Sequence, residues 1–315
     1  MSRKIIYGKA AIAVVLIILV CFFAFSCNSS DQSKVYDSPS KGTIHISVDE
    51  SFRPVIEEQI KMYESTYPGT TIIANYKPEA ACFRDLIKDS ATRMVVVTRG
   101  LNAKEEKFFN DSLNYVPVWK DVASDAMTIV VNSKSQDTLF TIDRLKKQLS
   151  GAMGNKQTIV FDGLTATSSV RYAVDSILRG QQFDTSVVKA VKNSREVLEY
   201  VASNVNAIGF VGISWIGNPE DSSQVNMLKK VKMAWVQCCN SVDSPYVKPT
   251  QYGILSQRYP LVRGLYYIVK ENYTGLGSGF ANFLQYERGQ LIFRRAYLGA
   301  RMGFAIRNVR INEKL

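Results

Sequence analysis

The sequence has little of what metal-dependent or histidine-dependent catalysis requires. Its 315 residues include a single histidine, His45, and five cysteines, none of them spaced as a CxxC pair. Transition metals are held in proteins mostly by clustered histidine and cysteine ligands, so the sequence predicts neither a metal site nor a cofactor. His45 lies within a predicted strand, where a lone histidine more often packs than acts as a base. Since no nucleophile and base stand at a recognisable spacing, we expect that the protein is not an enzyme.

Dense clusters of basic residues are absent as well. The formal net charge is +11, yet no run of lysine and arginine reaches the density typical of nucleic-acid-binding segments. Residues 1–26 contain three basic side chains and no acidic ones, so the remainder of the chain still carries +8. This basic balance favours an anionic ligand or an anionic membrane surface, and we expect no nucleic-acid partner.

The N-terminal segment predicts export. Arg3, Lys4 and Lys9 precede an almost unbroken apolar run at residues 10–25. The run is shorter than the roughly 20 residues with which a helix crosses a bilayer. It ends in small residues just before Cys27, and a polar stretch follows. A basic start, an apolar run, small residues and a polar stretch form the order of an export signal.

The same order resembles a bacterial lipoprotein signal, with Cys27 at the position that receives the lipid. The resemblance implies that residues 1–26 are a signal peptide, that Cys27 carries a diacylglycerol, and that residues 27–41 form a tether. Several acyl chains hold a protein to a bilayer, at about 0.8 kcal/mol for each buried methylene. An uncleaved anchor helix is the alternative, and both interpretations place the folded part outside the inner membrane.

Three cysteines remain beyond the N-terminal segment: Cys82, Cys238 and Cys239. In an oxidising compartment, Cys82 could form a disulfide with one of the adjacent pair. The other interpretation, which we favour, is that all three are buried and unpaired.

Strands and helices alternate along the rest of the chain. Apolar periodicity predicts strands at residues 42–48, 71–76, 93–98, 126–131, 158–161, 207–211, 229–236 and 266–270. It predicts helices at residues 52–67, 79–88, 142–149, 168–178, 194–203, 279–293 and 294–298. The alternating order is typical of an α/β fold, in which helices cover a parallel sheet. We expect two such α/β blocks, with a C-terminal segment that returns to one of them.

Three strand-to-helix junctions carry hydroxyl or guanidinium groups. In an open parallel sheet, ligands bind at the carboxyl ends of strands, where helix N-termini present unpaired N–H groups to an anion. The junctions are residues 49–52, 98–100 and 162–169. The residues that we predict to bind a ligand there are Ser51, Phe52, Thr98, Arg99, Thr165, Thr167, Ser168, Ser169 and Arg171. A guanidinium directly after a buried strand needs a partner, and an oxyanion is one that Arg99 could bind through two hydrogen bonds.

Each junction also has a purely structural interpretation. Serine and threonine are preferred at helix N-caps for backbone reasons alone, so Ser51 and Ser168 could be caps and nothing more. Arg99 could pair with a neighbouring carboxylate, Glu105 or Glu106, instead of a ligand. The sequence leaves both interpretations open.

Several segments, taken in order, resemble PstS-like phosphate ABC-transporter substrate-binding proteins of the kind found in Bacteroidetes. The segments include Val-Val-Val-Thr-Arg at 95–99, Tyr-Val-Pro-Val at 115–118, Met-Thr-Ile-Val-Val-Asn at 127–132, Asn-Ala-Ile-Gly-Phe-Val-Gly at 206–212, Tyr-Pro-Leu-Val-Arg-Gly-Leu-Tyr-Tyr at 259–267 and Phe-Leu-Gln-Tyr-Glu-Arg-Gly-Gln at 283–290. Each motif is only moderately specific, but their shared order extends over about residues 41–311.

The resemblance implies a two-lobed type II periplasmic-binding fold, which encloses a ligand between its lobes by hinge bending. The implied lobes are residues 42–120 with 262–315, and residues 121–261. The implied function is that of a periplasmic solute-binding lipoprotein, which captures a small oxyanion such as phosphate and delivers it to an ABC permease. The alternative is an envelope adaptor or sensor that keeps this fold without transport.

The chain departs from the family at the third junction. Where the family has an arginine before Asp-Gly, this chain has Val-Phe-Asp-Gly at residues 160–163, and the tight glycine turn that follows in the family is missing. Arg171 would have to supply the positive charge from the next helix. Asp49 and Glu50 place two carboxylates beside the first junction. One carboxylate can accept a proton from phosphate, whereas two repel a dianion unless an arginine neutralises one of them.

Overall fold

The fold is described from a computed structural model, over residues 37–154, 157–163, 167–238 and 244–302, with only the backbone for Glu287. The predicted signal segment, the tether up to residue 36, Cys27 and Thr165 lie outside the described residues. The described residues all belong to one compact unit.

The strands and helices of the described residues follow in chain order. The strands are β1 Lys41–Asp49, β2 Gly69–Lys77, β3 Thr92–Val97, β4 Val118–Asn132, β5 Leu139–Phe140, β6 Thr158–Phe161, β7 Val188–Ala190, β8 Ala207–Gly212, β9 Val231–Met233, β10 Trp235–Gln237, β11 Tyr246–Val247, β12 Val262–Val269 and β13 Gly299–Ala300. The α-helices are α1 Arg53–Thr66, α2 Glu79–Lys88, α3 Ala103–Leu113, α4 Ile142–Leu149, α5 Ser168–Tyr172, α6 Ser194–Ser203, α7 Ser222–Met227, α8 Gln251–Leu255, α9 Leu276–Gln285 and α10 Glu287–Arg295. Short 3-10 turns at Glu50–Phe52 and Ile213–Trp215 and a π turn at Ala173–Ile177 complete them.

A single mixed sheet organises the molecule. Its strands follow the order β2-β1-β3-β12-β4-β8-β6-β7, and β9 and β13 also pair with β4. β1 runs parallel to β2 and β3, which we call the β1 half of the sheet. β6 runs parallel to β7 and β8, which we call the β6 half. The predicted α/β class is confirmed, because strands alternate with helices in both halves.

Two antiparallel strands, β4 and β12, join the halves. β4 is 15 residues long, and it pairs with β12 over its first part and with β8 over its second. The sequence predicted only the second part, at residues 126–131. In the register of β4 and β12, Asp125 lies opposite Arg263. The lobe boundary predicted after residue 120 falls inside β4, and the division of the chain into lobes stays a prediction.

β3 is an apolar strand that lies inside the sheet, between β1 and β12. Met94 and Val96 pack into the main core, which extends through both halves of the sheet. Val95 and Val97 point to the other face, where they pack against Phe83 of α2 in a second cluster. A strand buried on both faces reads as a continuous apolar run rather than an alternating one.

Two predicted elements are each divided in the structure. The strand predicted at 229–236 breaks at Ala234, because β9 pairs with β4 whereas β10 joins β5 and β11 in a separate three-stranded sheet. The helix predicted at 279–293 breaks at Tyr286, whose backbone is extended, with ψ at 178°. Gly289 allows the two pieces to pack closely, since a Cβ there would lie 2.2 Å from Phe283 O. The helix predicted at 294–298 is also wrong, since α10 ends at Arg295.

Three further features bear on the sequence predictions. His45 is exposed on β1, so the packing role predicted for it is wrong. Cys82 is a buried thiol outside any disulfide, as we favoured, and Cys239 lies outside the described residues. Within the described ranges, no helix combines the length and apolar character that crossing a bilayer requires.

Candidate functional site

The first and third predicted junctions meet in the middle of the molecule. Ser51 Oγ lies 3.1 Å from Ser168 Oγ and 3.5 Å from Ser169 Oγ. All three serines are at most 1% exposed. Ser51 follows β1, and the other two begin α5 after β6, so hydroxyl groups from both halves of the sheet converge as the junctions predicted.

Local backbone geometry places each of these serines. Asp49 ends β1, and its Oδ1 accepts a hydrogen bond of 3.1 Å from the backbone N–H of Ser51. This bond stabilises the turn that directs Ser51 inward. Thr167 caps α5, since its Oγ1 accepts from the N–H of Val170 at 3.3 Å. Thr167 is therefore the cap of α5, and the hydroxyl group of Ser168 is left to point at Ser51.

Arg263 completes this site, and the sequence analysis did not single it out. Its Nε donates to Asp125 Oδ2 at 2.8 Å, and its Nη1 donates to Ser168 Oγ at 2.9 Å. Asp125 Oδ1 in turn accepts from the N–H of Ile213 at 3.1 Å. Phe52 lies under the guanidinium, with its ring centre 5.3 Å from Arg263 Cζ. The sequence did contain one signal for this residue, because Arg263 is a charged residue inside the apolar segment 261–265.

We call this group the central cluster. It consists of Asp49, Ser51, Asp125, Asp162, Ser168, Ser169 and Arg263, each at most 6% exposed. Asp162 joins it through Oδ2, which accepts from Ser169 Oγ at 3.2 Å. Gly212 at the end of β8 makes room for the ion pair, because a Cβ there would lie 3.2 Å from Asp125 Oδ2.

The second junction forms a neighbouring contact between the two halves. Thr98 donates through its backbone N–H to Glu79 Oε1 at 2.9 Å, and its hydroxyl is bonded to the same oxygen. Arg171 of α5 reaches across to this pair, donating from Nε to Glu79 Oε2 at 2.7 Å and from Nη2 to Thr98 Oγ1. Thr98 and Arg171 are therefore brought together, but with each other and Glu79 rather than with Ser51.

Arg99 pairs with Glu105, a carboxylate that the sequence offered as an alternative partner to an oxyanion. Its guanidinium donates two hydrogen bonds of 2.8 Å to the carboxylate of Glu105. It also lies 3.8 Å from the ring centre of Phe83. Glu105 is one of the two carboxylates that the sequence offered as alternatives to an oxyanion, and a ligand contact of Arg99 stays a prediction.

The central cluster and its surroundings contain more carboxylates than arginines. Burial raises the pKa of Asp49 to about 7, and the nearby charge of Glu79 adds to the increase. Burial likewise raises the pKa of Glu50 to about 7, and it raises the pKa values of Asp125 and Asp162. Glu79 differs: burial opposes its ionisation, but the hydrogen bonds and charge of Arg171 together with the hydrogen bonds from Thr98 lower its pKa. Burial therefore opposes the ionisation of Asp49, Glu50, Asp125 and Asp162, and acidic side chains outnumber basic ones at this site.

Three polar atoms of the central cluster have no hydrogen-bond partner among the described residues. They are Asp49 Oδ2, Asp162 Oδ1 and Arg263 Nη2. Buried polar groups in native proteins are nearly always paired. Arg263 Nη2 as a donor, and the two carboxyl oxygens as acceptors when they are ionised, are thus candidates for contacts with a ligand.

Glu50 connects the two halves beside the central cluster. Its Oε2 accepts hydrogen bonds from Ser194, at 3.2 Å from the backbone N–H and 2.8 Å from the hydroxyl. Ser194 is the first residue of α6, where an N–H group lacks a partner within the helix. A negative charge is also favourable at this end of the helix dipole. Glu50 therefore contributes to the closed arrangement.

A groove of about 780 Å³ reaches toward the central cluster from the surface. Residues of α1, α6 and α10 line it, among them Arg53, Arg195 and Arg295. Its lining includes Ser214, whose hydroxyl donates to the backbone oxygen of Ser51 at 3.2 Å. Among the described residues, no group of three or more His, Cys, Asp or Glu side chains is arranged to hold a metal ion.

Comparisons with known proteins agree with this architecture. The sequence model of the PBP superfamily domain matches residues 35–288. No curated protein sequence matches the chain.

Solved structures resemble the chain over most of its length. A Clostridium perfringens protein, described as a phosphate ABC transporter substrate-binding protein with bound phosphate, superposes with a TM-score of 0.66 at 18% identity, covering 83% of this chain and 100% of its own. An ABC-type phosphate transport receptor from Vibrio cholerae gives 0.57 at 19% identity, covering 82% and 99%. PstS from Borrelia burgdorferi gives 0.51 at 17% identity, covering 82% and 99%. The predicted two-lobed type II fold is confirmed by these likenesses.

Proposed function

We propose a solute-capture function for this chain, which belongs to the PBP superfamily. The ligand is a small oxyanion, with phosphate the first candidate, and it is enclosed between the two halves of the sheet. The likeness to PstS and to proteins described as phosphate-binding supports this choice. On this proposal the protein is a carrier and not an enzyme.

One observation carries the proposal: donors from both halves meet at one buried place. Ser51 comes from the β1 half, whereas Ser168 and Ser169 come from the β6 half. Arg263 comes from the strand between them and adds a guanidinium whose Nη2 has no partner within the described part of the chain. An oxyanion that binds hydroxyl and guanidinium donors from both sides would hold the halves together.

Binding requires the halves to separate and close again. Ser51 Oγ and Ser168 Oγ are within hydrogen-bond distance, so a ligand that contacts both must move them apart. We propose a hinge in β4 and β12, with residues 42–120 and 262–315 as one lobe and 121–261 as the other. Hinge closure around a ligand is an established mode of domain motion.

Transport and location follow from the same proposal. We propose that the protein is held to a membrane by lipid on Cys27, lies in the periplasm and passes its ligand to an ABC permease. The export-like order of residues 1–33 supports this placement. The likeness to proteins described as parts of ABC transporters supports the partner.

Calorimetry with phosphate tests the proposal. The full-length chain in detergent should bind phosphate with micromolar or tighter affinity, and Arg263→Gln should weaken binding at least tenfold because a charge-assisted contact is lost. Arg144→Gln is the matched control, since Arg144 is not a member of the central cluster and pairs with Asp137. If Arg99 serves only to pair with Glu105, the Arg99→Gln variant should bind phosphate with the wild-type affinity.

The absence of anion binding would contradict the proposal. If phosphate, sulfate and organic phosphates all give no heat and no thermal shift, the chain is not an oxyanion carrier, and the adaptor or sensor alternative is favoured. Because Arg263 is buried, Arg263→Gln could unfold the protein, so Ser168→Ala is measured in parallel. A folded Ser168→Ala protein with unchanged affinity would remove the central cluster from the binding site.

A further inference from the structure

Asp37, the first described residue, is held firmly in the fold. Its carboxylate accepts hydrogen bonds from Arg93 Nη1 at 2.6 Å and from Arg93 Nη2 at 2.9 Å. The hydroxyl of Tyr273 donates to it at 2.8 Å, and the backbone N–H of Leu276 donates at 2.7 Å. Leu276 begins α9, where an N–H group has no partner within the helix and the helix dipole favours a negative charge. The chain therefore enters the described structure at a fixed point.

This point lies at the edge of the sheet where β1 and β3 begin, which we call the amino edge. Ser38 and Lys41 exchange backbone hydrogen bonds at the start of β1. Asp49 of the central cluster ends the same strand, which is nine residues long. At 3.3 Å per residue, the two ends of β1 are about 26 Å apart. The amino edge is therefore opposite to the edge that carries the central cluster.

Apolar side chains are exposed to solvent at the same edge. Leu113 ends α3, and Val116, Val118 and Trp119 follow it into the first residues of β4. All four are exposed, and Val118 is 62% exposed. We call these four residues the apolar edge. Contiguous apolar side chains on a protein surface often mark a site of contact with a partner or a membrane.

Strand pairing determines how near the apolar edge lies to Asp37. Val269 of β12 lies opposite Val118 of β4 on one side and opposite Met94 of β3 on the other. Neighbouring strands are about 4.8 Å apart, so Val118 and Met94 are separated by about 10 Å. Arg93, which binds Asp37, directly precedes Met94. The apolar edge and the entry point of the chain are therefore neighbours on one surface.

The length of chain before Asp37 favours a bilayer as the occupant of this surface. Nine residues, 28–36, separate Asp37 from Cys27. An extended chain spans at most about 3.6 Å per residue, so a lipid on Cys27 would keep the amino edge within about 36 Å of the membrane. Valine and leucine side chains gain free energy on leaving water, and tryptophan is favoured at the level of the lipid headgroups.

We propose that the apolar edge docks on the surface of the lipid bilayer, so that the β1 half is held both by its lipid and by its own side chains. This inference rests on the proposed function, because it requires the lipid on Cys27. Four exposed side chains are too few to retain the protein without acyl chains, since even a single myristoyl chain binds only marginally. Docking at the amino edge leaves the opposite edge, with the central cluster, on the aqueous side.

Nitroxide labels measure whether the apolar edge enters the bilayer. The full-length acylated chain is reconstituted in vesicles of phosphatidylethanolamine and phosphatidylglycerol, with a label on Val118→Cys or on Tyr252→Cys. The two positions are similarly exposed, at 62% and 68%. Tyr252 is the control, since it lies in α8, which precedes the start of β12, whereas Val118 pairs with the end of β12. The labelled wild-type chain gives the background from its own cysteines.

Collisions of each label with oxygen and with a water-soluble nickel chelate report its surroundings, because oxygen concentrates in lipid and the chelate stays in water. We expect the ratio of oxygen to nickel collisions at position 118 to exceed that at position 252 by about fivefold in vesicles. In the Cys27→Ser chain, free in solution without vesicles, the two ratios should be equal.

A charged substitution tests the apolar contact itself. Val116→Asp should lower the collision ratio of the label at position 118 to the value at position 252, because a carboxylate is unfavourable in the bilayer. The variant should still sediment with the vesicles, since its acyl chains remain. Leu139→Asp on β5 is the control, because Leu139 is also exposed, and it should leave the ratio unchanged.

The outcomes separate this inference from the proposed function. Equal ratios at positions 118 and 252 in an acylated, vesicle-bound chain would overturn docking and leave lipid anchoring and oxyanion capture intact. In that case a protein partner becomes the candidate occupant of the apolar edge. A chain that carries no acyl group and does not sediment with vesicles would overturn both docking and the proposed anchor.

Discussion

Three arginines, which lie after β3, in α5 and at the start of β12, pair with carboxylates in three different places. Arg99 binds Glu105, six residues away in the same half of the sheet. Arg171 reaches from α5 to Glu79 in the other half. Arg263 binds Asp125 on the adjacent strand and also Ser168. An arginine beside a strand end therefore does not by itself indicate a ligand contact. Its role depends on which carboxylate pairs with it in the folded chain.

At the residue scale, Glu50 should make stability depend on pH. Its pKa is raised by burial from 4.5 to about 7, so the folded chain holds a proton there that the unfolded chain has released. Stability therefore decreases as the pH rises from about 4.5 through 7. Each unit of pKa change corresponds to about 1.4 kcal/mol, so the loss is a few kcal/mol at most. Carboxylates with lowered pKa values, such as Glu79, lose stabilising power only below this window.

Glu50→Gln tests this dependence. The glutamine can still accept from Ser194 but cannot ionise, so its urea unfolding free energy should decrease less than that of the wild type between about pH 5 and pH 8. Glu58→Gln, at an exposed position of α1, is the control and should follow the wild type. If the Glu50→Gln and wild-type curves run parallel, Glu50 does not ionise in this window.

At the element scale, much of the fold follows from local patterns. The bounds of α2, α4, α6 and β6 agree with prediction, because each element has a periodic apolar face and most of the helices begin at a capping residue. Ser51 and Ser168 were also placed together correctly, through the rule that strand ends share one edge of the sheet.

Contacts between distant strands account for what was missed. Asp125 and Arg263 are 138 positions apart, and their pairing depends on the register of β4 and β12, which no local pattern specifies. The closed cluster of carboxylates has the same origin. Asp49, Asp125 and Asp162 come from three separate strands or strand ends, so their summed charge is visible only once the sheet is assembled.

The packing of α6 on β8 gives a prediction for these elements. A Cβ at Gly209 would lie 2.8 Å from Val197 Cγ1 and Val201 Cγ2 of α6. Gly209→Ala should therefore displace α6 and destabilise the protein by about 1–3 kcal/mol, as overpacked cores do. Chemical denaturation measures the loss. Val201→Ala combined with Gly209→Ala should cost less than the sum of the two single changes, and strict additivity would contradict the proposed clash.

At the scale of the whole molecule, the proposed membrane anchoring requires Cys27. We expect Cys27→Ser to move the protein from the membrane fraction to the soluble periplasmic fraction and to abolish labelling with a radioactive fatty acid, because its acyl chains are lost. Cys21→Ser is the control, since that cysteine lies in the apolar run before the predicted cleavage point. Continued membrane retention of Cys27→Ser without acylation would favour an uncleaved anchor helix.

The position of the Asp125–Arg263 pair has a consequence for the order of events. Asp125 lies on β4 and Arg263 on β12, the two paired strands that join the halves of the sheet. We therefore expect the two residues to stay together however far the halves open. The contact between Ser51 and Ser168 exists only when the halves are close. An arriving anion would therefore encounter the guanidinium first and the serines afterwards. Ionic strength would then govern how fast the anion arrives, whereas closure would govern how long it stays.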